Sequence, residues 1–217
     1  MDRRFWHLHL LGDQQGRHVL IRAASERGFS LIELMVTVVI MVILSLLAVP
    51  SMREYAENSK ILGTAEAFYA SAQTTRTEAI RRNGPVELIL TNQAPVAGSA
   101  DTTGITSSGP NWMIRQVPPT TDDEYVFIEG KAGGEGGGRT GGTTSVLISA
   151  DNSGAIQFSA LGSLAGTLPV VVDFSSSLGT CATNGGAVRC LRVVIAPGGQ
   201  ARLCDPAVTT ASDTRRC

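Results

Sequence analysis

The chain has 217 residues, and its 18 Lys and Arg against 19 Asp and Glu give a formal net charge of −1. This balance excludes the global basic field that indicates nucleic-acid binding. All three histidines, His7, His9 and His18, lie among the first 28 residues. Residues 29–217 therefore cannot use Ser-His or Cys-His nucleophilic catalysis or a histidine-containing zinc site, and we expect no enzyme activity, cofactor or metal.

Residues 1–28 have the character of a leader that stays on the cytoplasmic side of a membrane. They carry five arginines against three carboxylates, namely Arg3, Arg4, Arg17, Arg22 and Arg27 against Asp2, Asp13 and Glu26. An excess of cations beside an apolar segment predicts a cytoplasmic location for these residues, with the rest of the chain exported.

An apolar segment follows at residues 29–50, and Glu33 is its one charged residue. At about 1.5 Å per residue, a helix of this length spans roughly 30 Å of hydrocarbon, which predicts a transmembrane helix. Placing a carboxylate in the membrane near the start of this helix costs several kcal/mol of free energy unless the carboxylate has a partner. Glu33 is therefore a functional candidate. Cleavage after Gly28 would create that partner, because the new amine of Phe29 lies about one helical turn away.

The order of these features differs from an ordinary secretory signal, whose apolar region precedes the small residues of the cleavage site. Here the small residue comes first. The run Arg27-Gly28-Phe29-Ser30-Leu31-Ile32-Glu33-Leu34 resembles the type III signal of type IV pilins and pseudopilins. The resemblance implies that a prepilin peptidase cuts between Gly28 and Phe29 and methylates the Phe29 amine. It also implies that Glu33 guides the subunit into a helical filament, and Pro50 falls at the family's position too.

Residues 51–84 are predicted to continue this helix as an amphipathic segment. Pro50 should kink it, because proline removes a backbone donor and crowds the preceding turn. Beyond Pro50, apolar residues recur at spacings of three, four and seven, with Phe68 and Ile80 beside the stripe: Met52, Tyr55, Leu62, Ala65, Tyr69 and Ala72. Asn83-Gly84-Pro85 is a stop signal. The pattern predicts one helix over residues 29–82, whose second half lies on a globular domain.

Residues 85–217 contain short runs typical of β-strands, and turn residues separate these runs. The predicted strands are 86–91, 112–117, 125–129, 144–149, 155–159, 169–174, 187–196 and 200–204. Residues 151–154 and 197–200 are predicted hairpin turns. Roughly 130 residues of this kind can bury one modest core beside the helix, which predicts a single domain.

A glycine-rich loop at residues 132–142 invites comparison with a phosphate-binding loop. It lacks the Gly-Lys-Ser/Thr ending, and no helix follows whose N-terminus would favour an anion. We therefore expect a flexible connection between strands.

All four cysteines lie late in the chain, at Cys181, Cys190, Cys204 and Cys217. None forms a CxxC pair, and an exported domain meets an oxidising compartment, so two disulfides are favoured over a four-Cys zinc site. Three pairings are open. We favour the pairing of Cys181 with Cys190 and of Cys204 with Cys217, because each bridge then closes a short loop. On the chain-entropy model, a bridge of this kind stabilises the folded state by roughly 3 kcal/mol.

The succession of one long helix and many strands resembles the GspH/FimT branch of the pilin superfamily. The branch includes FimT- and FimU-type minor pilins and the H-type pseudopilin of type II secretion. Three places carry the resemblance: residues 76–86 at the helix end and first strand, 151–158 as a central hairpin, and 191–202 as a terminal hairpin. It implies an α+β fold, in which the long N-terminal helix packs on a mostly antiparallel β-domain.

One departure bears on DNA binding. FimT-type proteins that bind DNA carry a Gly-Arg-x-Arg motif near the C-terminus, whereas this chain reads Gly199-Gln200-Ala201-Arg202. A glutamine cannot replace the cation that contacts phosphate and releases counterions. Arg215 and Arg216 could compensate if a Cys204–Cys217 bridge folded the tail back, so the possible DNA contacts are Arg202, Arg215 and Arg216.

These observations predict a non-enzymatic structural subunit with four parts: a leader at 1–28, an assembly helix at 29–50, an amphipathic half-helix at 51–84 and a periplasmic β-domain at 85–217. Its expected partners are the prepilin peptidase, other pilins or pseudopilins, and the inner membrane. We expect a minor subunit at or near the tip of a type IV pilus. The alternatives are an H-type pseudopilin of type II secretion and a DNA-binding minor pilin for natural transformation.

Overall fold

The structure is a computed structural model that describes residues 29–133, 139–140 and 143–217. Side chains are described for these residues except at 47–51 and in the two short strands at 139–140 and 143–144. The predicted leader, with Gly28, lies outside the described residues. The chain divides between Leu44 and Ser45 into two compact units, and each is described by itself.

One helix, α1 at Leu31–Arg82, carries the chain from the apolar segment into the domain, and its backbone is helical at Pro50. The helix ends in a Schellman motif, because Gly84 N–H donates to the Ala79 carbonyl and Asn83 N–H to the Ile80 carbonyl, both at 3.2 Å. Asn83 takes the left-handed conformation with φ 48°, so the residue before the predicted glycine makes the turn. Among the described helices, none is both long enough and apolar enough to cross a membrane.

The domain contains two four-stranded antiparallel sheets. The first sheet has the order β3-β2-β1-β7 and the second β10-β9-β8-β6, while β4 and β5 form a separate pair. The strands are β1 Val86–Thr91, β2 Asn111–Gln116, β3 Val126–Lys131, β4 Arg139–Thr140, β5 Thr143–Thr144, β6 Val146–Ala150, β7 Ala155–Phe158, β8 Val170–Ser176, β9 Leu191–Ile195 and β10 Ala201–Cys204. Each predicted run overlaps a strand, with ends that differ by up to four residues. The pair β4 and β5 was missed as a pair, because β4 lies inside the glycine-rich stretch and β5 directly follows it.

The predicted hairpin at residues 151–154 is wrong, because this turn joins the two sheets. The strand before it, β6, pairs with β8, and the strand after it, β7, pairs with β1. The turn chemistry is as expected: Gly154 N–H donates to Asn152 Oδ1 at 2.9 Å, and Gly154 has φ 93°. Val171 N–H donates to Asp151 Oδ1 at 3.0 Å and Leu90 N–H to the Gly154 carbonyl at 2.8 Å, so each end of the turn is held by a different sheet.

The hairpin predicted at residues 197–200 is confirmed, since β9 and β10 pair across it. Ala196 N–H donates to the Gln200 carbonyl at 2.9 Å, which closes the loop between the strands.

The core of the domain lies between one face of α1 and both sheets. Phe68 is fully buried and makes edge-on ring contacts with Trp112 and Phe174, at centroid distances of 5.6 and 5.5 Å. Trp112 Nε1–H donates to Ser71 Oγ at 2.9 Å, which satisfies its buried donor. The buried apolar positions of the helix are Ile61, Ala65, Phe68, Ala72 and Ala79. The predicted stripe was therefore partly wrong, because Met52, Tyr55, Leu62 and Ile80 are exposed.

Candidate assembly site

The predicted processing and assembly residues lie at the start of α1. Glu33 N–H donates to Ser30 Oγ at 3.2 Å, and Leu34 N–H donates to the Ser30 carbonyl at 3.2 Å, so Ser30 caps the helix. The spacing Ser-x-x-Glu is that of a capping box, in which the carboxylate can also reach back to the backbone N–H of the cap. Phe29 and Glu33 are both exposed. Ser30 was not predicted as a helix cap, although this spacing is a recognised signal for a helix start.

The exposed carboxylate of Glu33 can serve two purposes. A negative charge in the first turn interacts favourably with the helix dipole, by about 0.3–1 kcal/mol at an exposed position. The same carboxylate makes no ion pair with any described residue. Its charge is therefore open to a cation that the described residues do not supply, such as the amine that cleavage before Phe29 would create.

The helix around Glu33 is apolar on every side. Thirteen large apolar side chains between Leu31 and Leu46 are 49–78% exposed, namely Leu31, Ile32, Leu34, Met35, Val36, Val38, Val39, Ile40, Met41, Val42, Ile43, Leu44 and Leu46. A helix that is apolar all round is normally buried, either in a large core or in a membrane. Residues 31–46 expose this surface in the structure.

Two disulfides fix the C-terminal part of the domain. Cys181 is joined to Cys190 and Cys204 to Cys217, with Cα–Cα distances of 5.4 and 5.1 Å. This is the pairing that the short loops favour. Beside the first bridge, Arg189 N–H donates to Asn58 Oδ1 on α1 at 2.7 Å, so this loop is held against the helix.

The second disulfide folds the tail back towards β10. Asp205 N–H donates to the Arg215 carbonyl at 2.7 Å, and Arg202 Nη2 donates to the Cys217 carbonyl at 3.1 Å. Arg215 makes two bonds to Asp213, at 3.1 and 2.7 Å, and these bonds lower the pKa of Asp213 to about 2. The structure thus brings Arg202 to the tail but directs Arg215 to a carboxylate. Arg216 is exposed.

The two other arginines of this region are also paired. Arg189 Nε donates to Asp205 Oδ2 at 2.7 Å, and Arg192 makes bonds of 2.7 and 3.0 Å to the two oxygens of Asp173. These pairs neutralise part of the positive charge that the sequence concentrates here.

Gly199, the first residue of the Gly-x-x-Arg run, has a structural reason to be glycine. Its φ is 80°, which L side chains rarely adopt, and a Cβ there would lie 1.8 Å from the Gly162 carbonyl oxygen. Arg76 Nε donates to this same oxygen at 3.0 Å, so α1 and the β9–β10 turn meet at one backbone atom.

A buried ion pair and a buried carboxylate were not predicted from the sequence. Arg115 Nε donates to Glu87 Oε1 at 2.7 Å across β1 and β2, and the Arg115 guanidinium also reaches the Ala100 carbonyl and lies over the Tyr125 ring. The pair ties the loop between β1 and β2 to the outer face of the first sheet. Two charges inside apolar strand runs are the sequence signal that points to such a pair.

The second group, Glu57, lies on the buried face of α1. Lys60 Nζ donates to Glu57 Oε1 at 2.7 Å and Ser176 Oγ to Glu57 Oε2 at 3.0 Å. Burial raises the pKa of Glu57, but the hydrogen bonds from Lys60, Ser176 and Ser145 outweigh burial and hold the pKa below its usual value. This carboxylate therefore fastens the helix to the second sheet as an anion.

Comparisons with known proteins find two family models along the chain. The model of the prokaryotic N-terminal methylation motif matches residues 24–49, and that of the type II transport protein GspH matches residues 64–199. A search of curated proteins finds no match.

Two solved structures are similar to this chain. The type IV minor pilin FimU of Pseudomonas aeruginosa is 15% identical, with a TM-score of 0.48, over 69% of this chain and 91% of FimU. The minor pseudopilin EpsH from the type 2 secretion system of Vibrio cholerae is 12% identical, with a TM-score of 0.41, over 70% of this chain and 99% of EpsH.

The methylation motif indicates processing by a prepilin peptidase and assembly with other pilins, and it indicates a membrane-anchored protein that enters a pilus or pseudopilus. The GspH model covers well over half of the chain, including α1 from Thr64 and all but the last strand and tail. The chain therefore belongs to the GspH family, the branch of structural minor pilins and pseudopilins that it shares with FimT.

Proposed function

We propose that this chain is a non-enzymatic subunit of a type IV pilus, placed at or near the tip. A prepilin peptidase cuts between Gly28 and Phe29 and methylates the Phe29 amine. Residues 29–50 then hold the subunit in the inner membrane, with the domain in the periplasm, until the helix packs among sister helices in the filament.

The observation that carries this proposal is the apolar surface on every side of residues 31–46. Burying a large apolar side chain is worth about 1.5–3 kcal/mol. Covering the exposed halves of thirteen such side chains would contribute on the order of 10–20 kcal/mol. Lipid and sister helices are the two environments that can supply this cover, and an assembling subunit uses first one and then the other.

Glu33 gives the assembly its register. Its single charge lies four residues from Phe29, about 6 Å along a helix axis. Within lipid or a helix bundle, an unpaired carboxylate is costly, whereas an ion pair with the Phe29 amine of a neighbouring subunit removes most of that cost. The favoured stagger between two helices is then the one that brings Glu33 to the amine.

A clean deletion strain tests the proposal, scored side by side for surface piliation, DNA uptake and exoprotein release. Loss of piliation with normal secretion is expected of a pilus subunit. Loss of secretion with normal pili would make the chain an H-type pseudopilin, which the match to the type II transport family model favours as the alternative. A strain that is normal in all three properties would contradict both assignments.

A DNA-binding role is a second candidate because the Cys204–Cys217 bridge brings the tail against the exposed Arg202. If Arg202 contacts a phosphate, Arg202→Ala should weaken DNA binding by the detergent-purified protein and reduce its salt slope by about 1. Arg81→Ala is the matched control, because Arg81 is also an exposed arginine but lies on α1. No mobility shift of DNA at low salt would exclude this role.

A further inference from the structure

A cavity of about 540 Å³ lies between β7, an edge strand of the first sheet, and residues 164–170, which lead into β8. This volume is within the roughly 300–1,000 Å³ range of ordinary binding pockets. Glu87 and Gln157 both line the cavity, because they are paired across β1 and β7 and therefore lie on the same face of the sheet. We term this cavity the β7 pocket.

The Glu87 carboxylate is buried in the wall of the β7 pocket and has one oxygen to offer a ligand. Glu87 is 7% exposed, and its Oε1 accepts the 2.7 Å bond from Arg115 Nε. Its other oxygen, Oε2, bonds to no described residue. Thr64 Oγ1 is the one described side-chain nitrogen or oxygen that is fully buried without a partner, so Glu87 Oε2 is open to solvent. A fixed acceptor of this kind binds a donor at little ordering cost.

Two further residues bring acceptor oxygens to the β7 pocket. Asp151 lies in the turn that joins the two sheets, and its Oδ1 accepts Val171 N–H at 3.0 Å. Its Oδ2 makes no bond with the part of the chain that the structure describes. The side-chain amide of Gln157 likewise has no hydrogen bond to a described residue. The pocket therefore offers oxygens from β1, from β7 and from the turn before β7.

The charge around the β7 pocket favours a single cation. Among the described residues that line it, there is no lysine or arginine. Arg115 is bonded to Glu87, and the bond to Asp173 raises the pKa of Arg192, an effect to which the charge of Asp151 adds. These three carboxylates and two guanidinium groups leave one negative charge, which one cation would neutralise.

The open oxygens and the apolar walls fit lysine better than arginine. The planar fork of an arginine is favoured where both oxygens of one carboxylate are open to it. Glu87 and Asp151 each have one oxygen already bonded, so the point charge of an ammonium group fits better. Leu164, Leu168 and Pro169 also line the pocket, and the aliphatic stem of a lysine can lie against them.

We propose that the β7 pocket binds a lysine side chain of a different pilin subunit. The match of charge and apolar stem to the cavity identifies this occupant. A minor subunit at or near the tip has other pilins as its neighbours, and in that respect the inference rests on the proposed function. One pocket takes one lysine, so the contact joins this chain to one neighbour and does not propagate along the filament.

Zero-length coupling with a carbodiimide, in membranes and sheared filaments that contain the native protein, tests the contact. The reagent activates a carboxyl group, and a lysine amine in contact with that group displaces the activating group to form an amide. The expected product joins Asp151 to a lysine of another pilin subunit, as mapped by mass spectrometry. Glu87→Gln should lower the yield of this adduct about tenfold, a change of about 1.4 kcal/mol, because it removes the second charge that holds the lysine.

Two substitutions of exposed threonines form a matched pair that leaves the buried ion pair intact. Thr167→Arg places a cation at the pocket and should lower the adduct yield at least as much as Glu87→Gln does. Thr209→Arg adds the same charge outside the pocket and should leave the yield unchanged. An equal loss from both variants would overturn the inference.

An adduct between two copies of this chain, an adduct of Asp151 with a protein that is not a pilin, or no adduct at Asp151 would also overturn it. Normal incorporation without the adduct rejects only this contact. A deletion strain that is normal in piliation and secretion rejects the proposed function.

Discussion

Two stretches of one helix, residues 31–46 and 61–79, differ in how far their apolar side chains are exposed. In the first stretch, large apolar side chains are exposed on every side. In the second, Ile61, Ala65, Phe68, Ala72 and Ala79 are buried against the sheets, while polar residues such as Glu66 and Thr77 are exposed. The second stretch is buried within one chain, whereas we propose that the first is covered by lipid or other subunits. Substitutions in the second should therefore change the free energy of unfolding, and those in the first should change assembly.

The largest expected effect is that of Phe68→Ala, which removes the ring between Trp112 and Phe174. Truncating a buried phenylalanine typically lowers the free energy of unfolding by about 3–5 kcal/mol. Unfolding can be followed by tryptophan fluorescence, because removal of residues 1–28 leaves Trp112 as the one tryptophan. Val39→Ala in the first stretch is the control and should leave the free energy of unfolding within about 0.5 kcal/mol. An equal loss in the free energy of unfolding from both variants would contradict this difference between the two stretches.

Removing the second disulfide should have the next largest effect. Replacing Cys204 and Cys217 together by serine opens a loop with a sequence separation of 13, at a cost of roughly 3 kcal/mol. For a domain of this size, the melting temperature should fall by about 6–12 °C. Replacing Cys181 and Cys190 instead opens a loop with a separation of 9 and should cost a few tenths of a kcal/mol less. An unchanged melting temperature without the Cys204–Cys217 bridge would contradict a tail that the bridge holds in place.

The smallest effect concerns Glu57 and its dependence on pH. Because the folded pKa of Glu57 is below its usual value of 4.5, its contribution to stability is present above that value and is lost as pH falls through the folded pKa. Wild type should exceed Glu57→Gln in stability by about 1 kcal/mol at pH 7, and the gap should close in acid. Glu66→Gln, at an exposed position on the same helix, is the control. A gap that stays constant from pH 7 to pH 3 would exclude an ionised Glu57 as the fastening group.

Local patterns predicted the single elements of the fold well. The strand at Val86–Thr91 has the predicted bounds, and α1 ends at the predicted Arg82. Both are set by nearby residues, such as the cations of the last helical turn and the glycine and proline after them. The observed disulfide pairing was also favoured from the sequence, because the length of the loop that each bridge closes depends on sequence separation alone.

Properties that depend on distant partners were not predicted. Nothing in residues 151–154 shows that β6 pairs with β8 and β7 with β1, since turn chemistry does not determine which strands meet. The helix face was misplaced because Leu62 and Ile61 are equally apolar, and the contacts with both sheets decide which of them is buried. The ion pair of Arg115 with Glu87 depends on the cross-strand register, which appears only when β1 and β2 align.

We propose that the charge of Glu33 guides a subunit whose apolar helix is covered by other subunits. The most direct measurement compares Glu33→Val and Glu33→Gln for processing, stability and incorporation into sheared filaments. Glutamine keeps the capping-box geometry with Ser30 and removes the charge, whereas valine removes both. We expect that both variants are cleaved and folded and that both fail to incorporate. Normal incorporation of Glu33→Gln would contradict it and leave Glu33 as a helix cap.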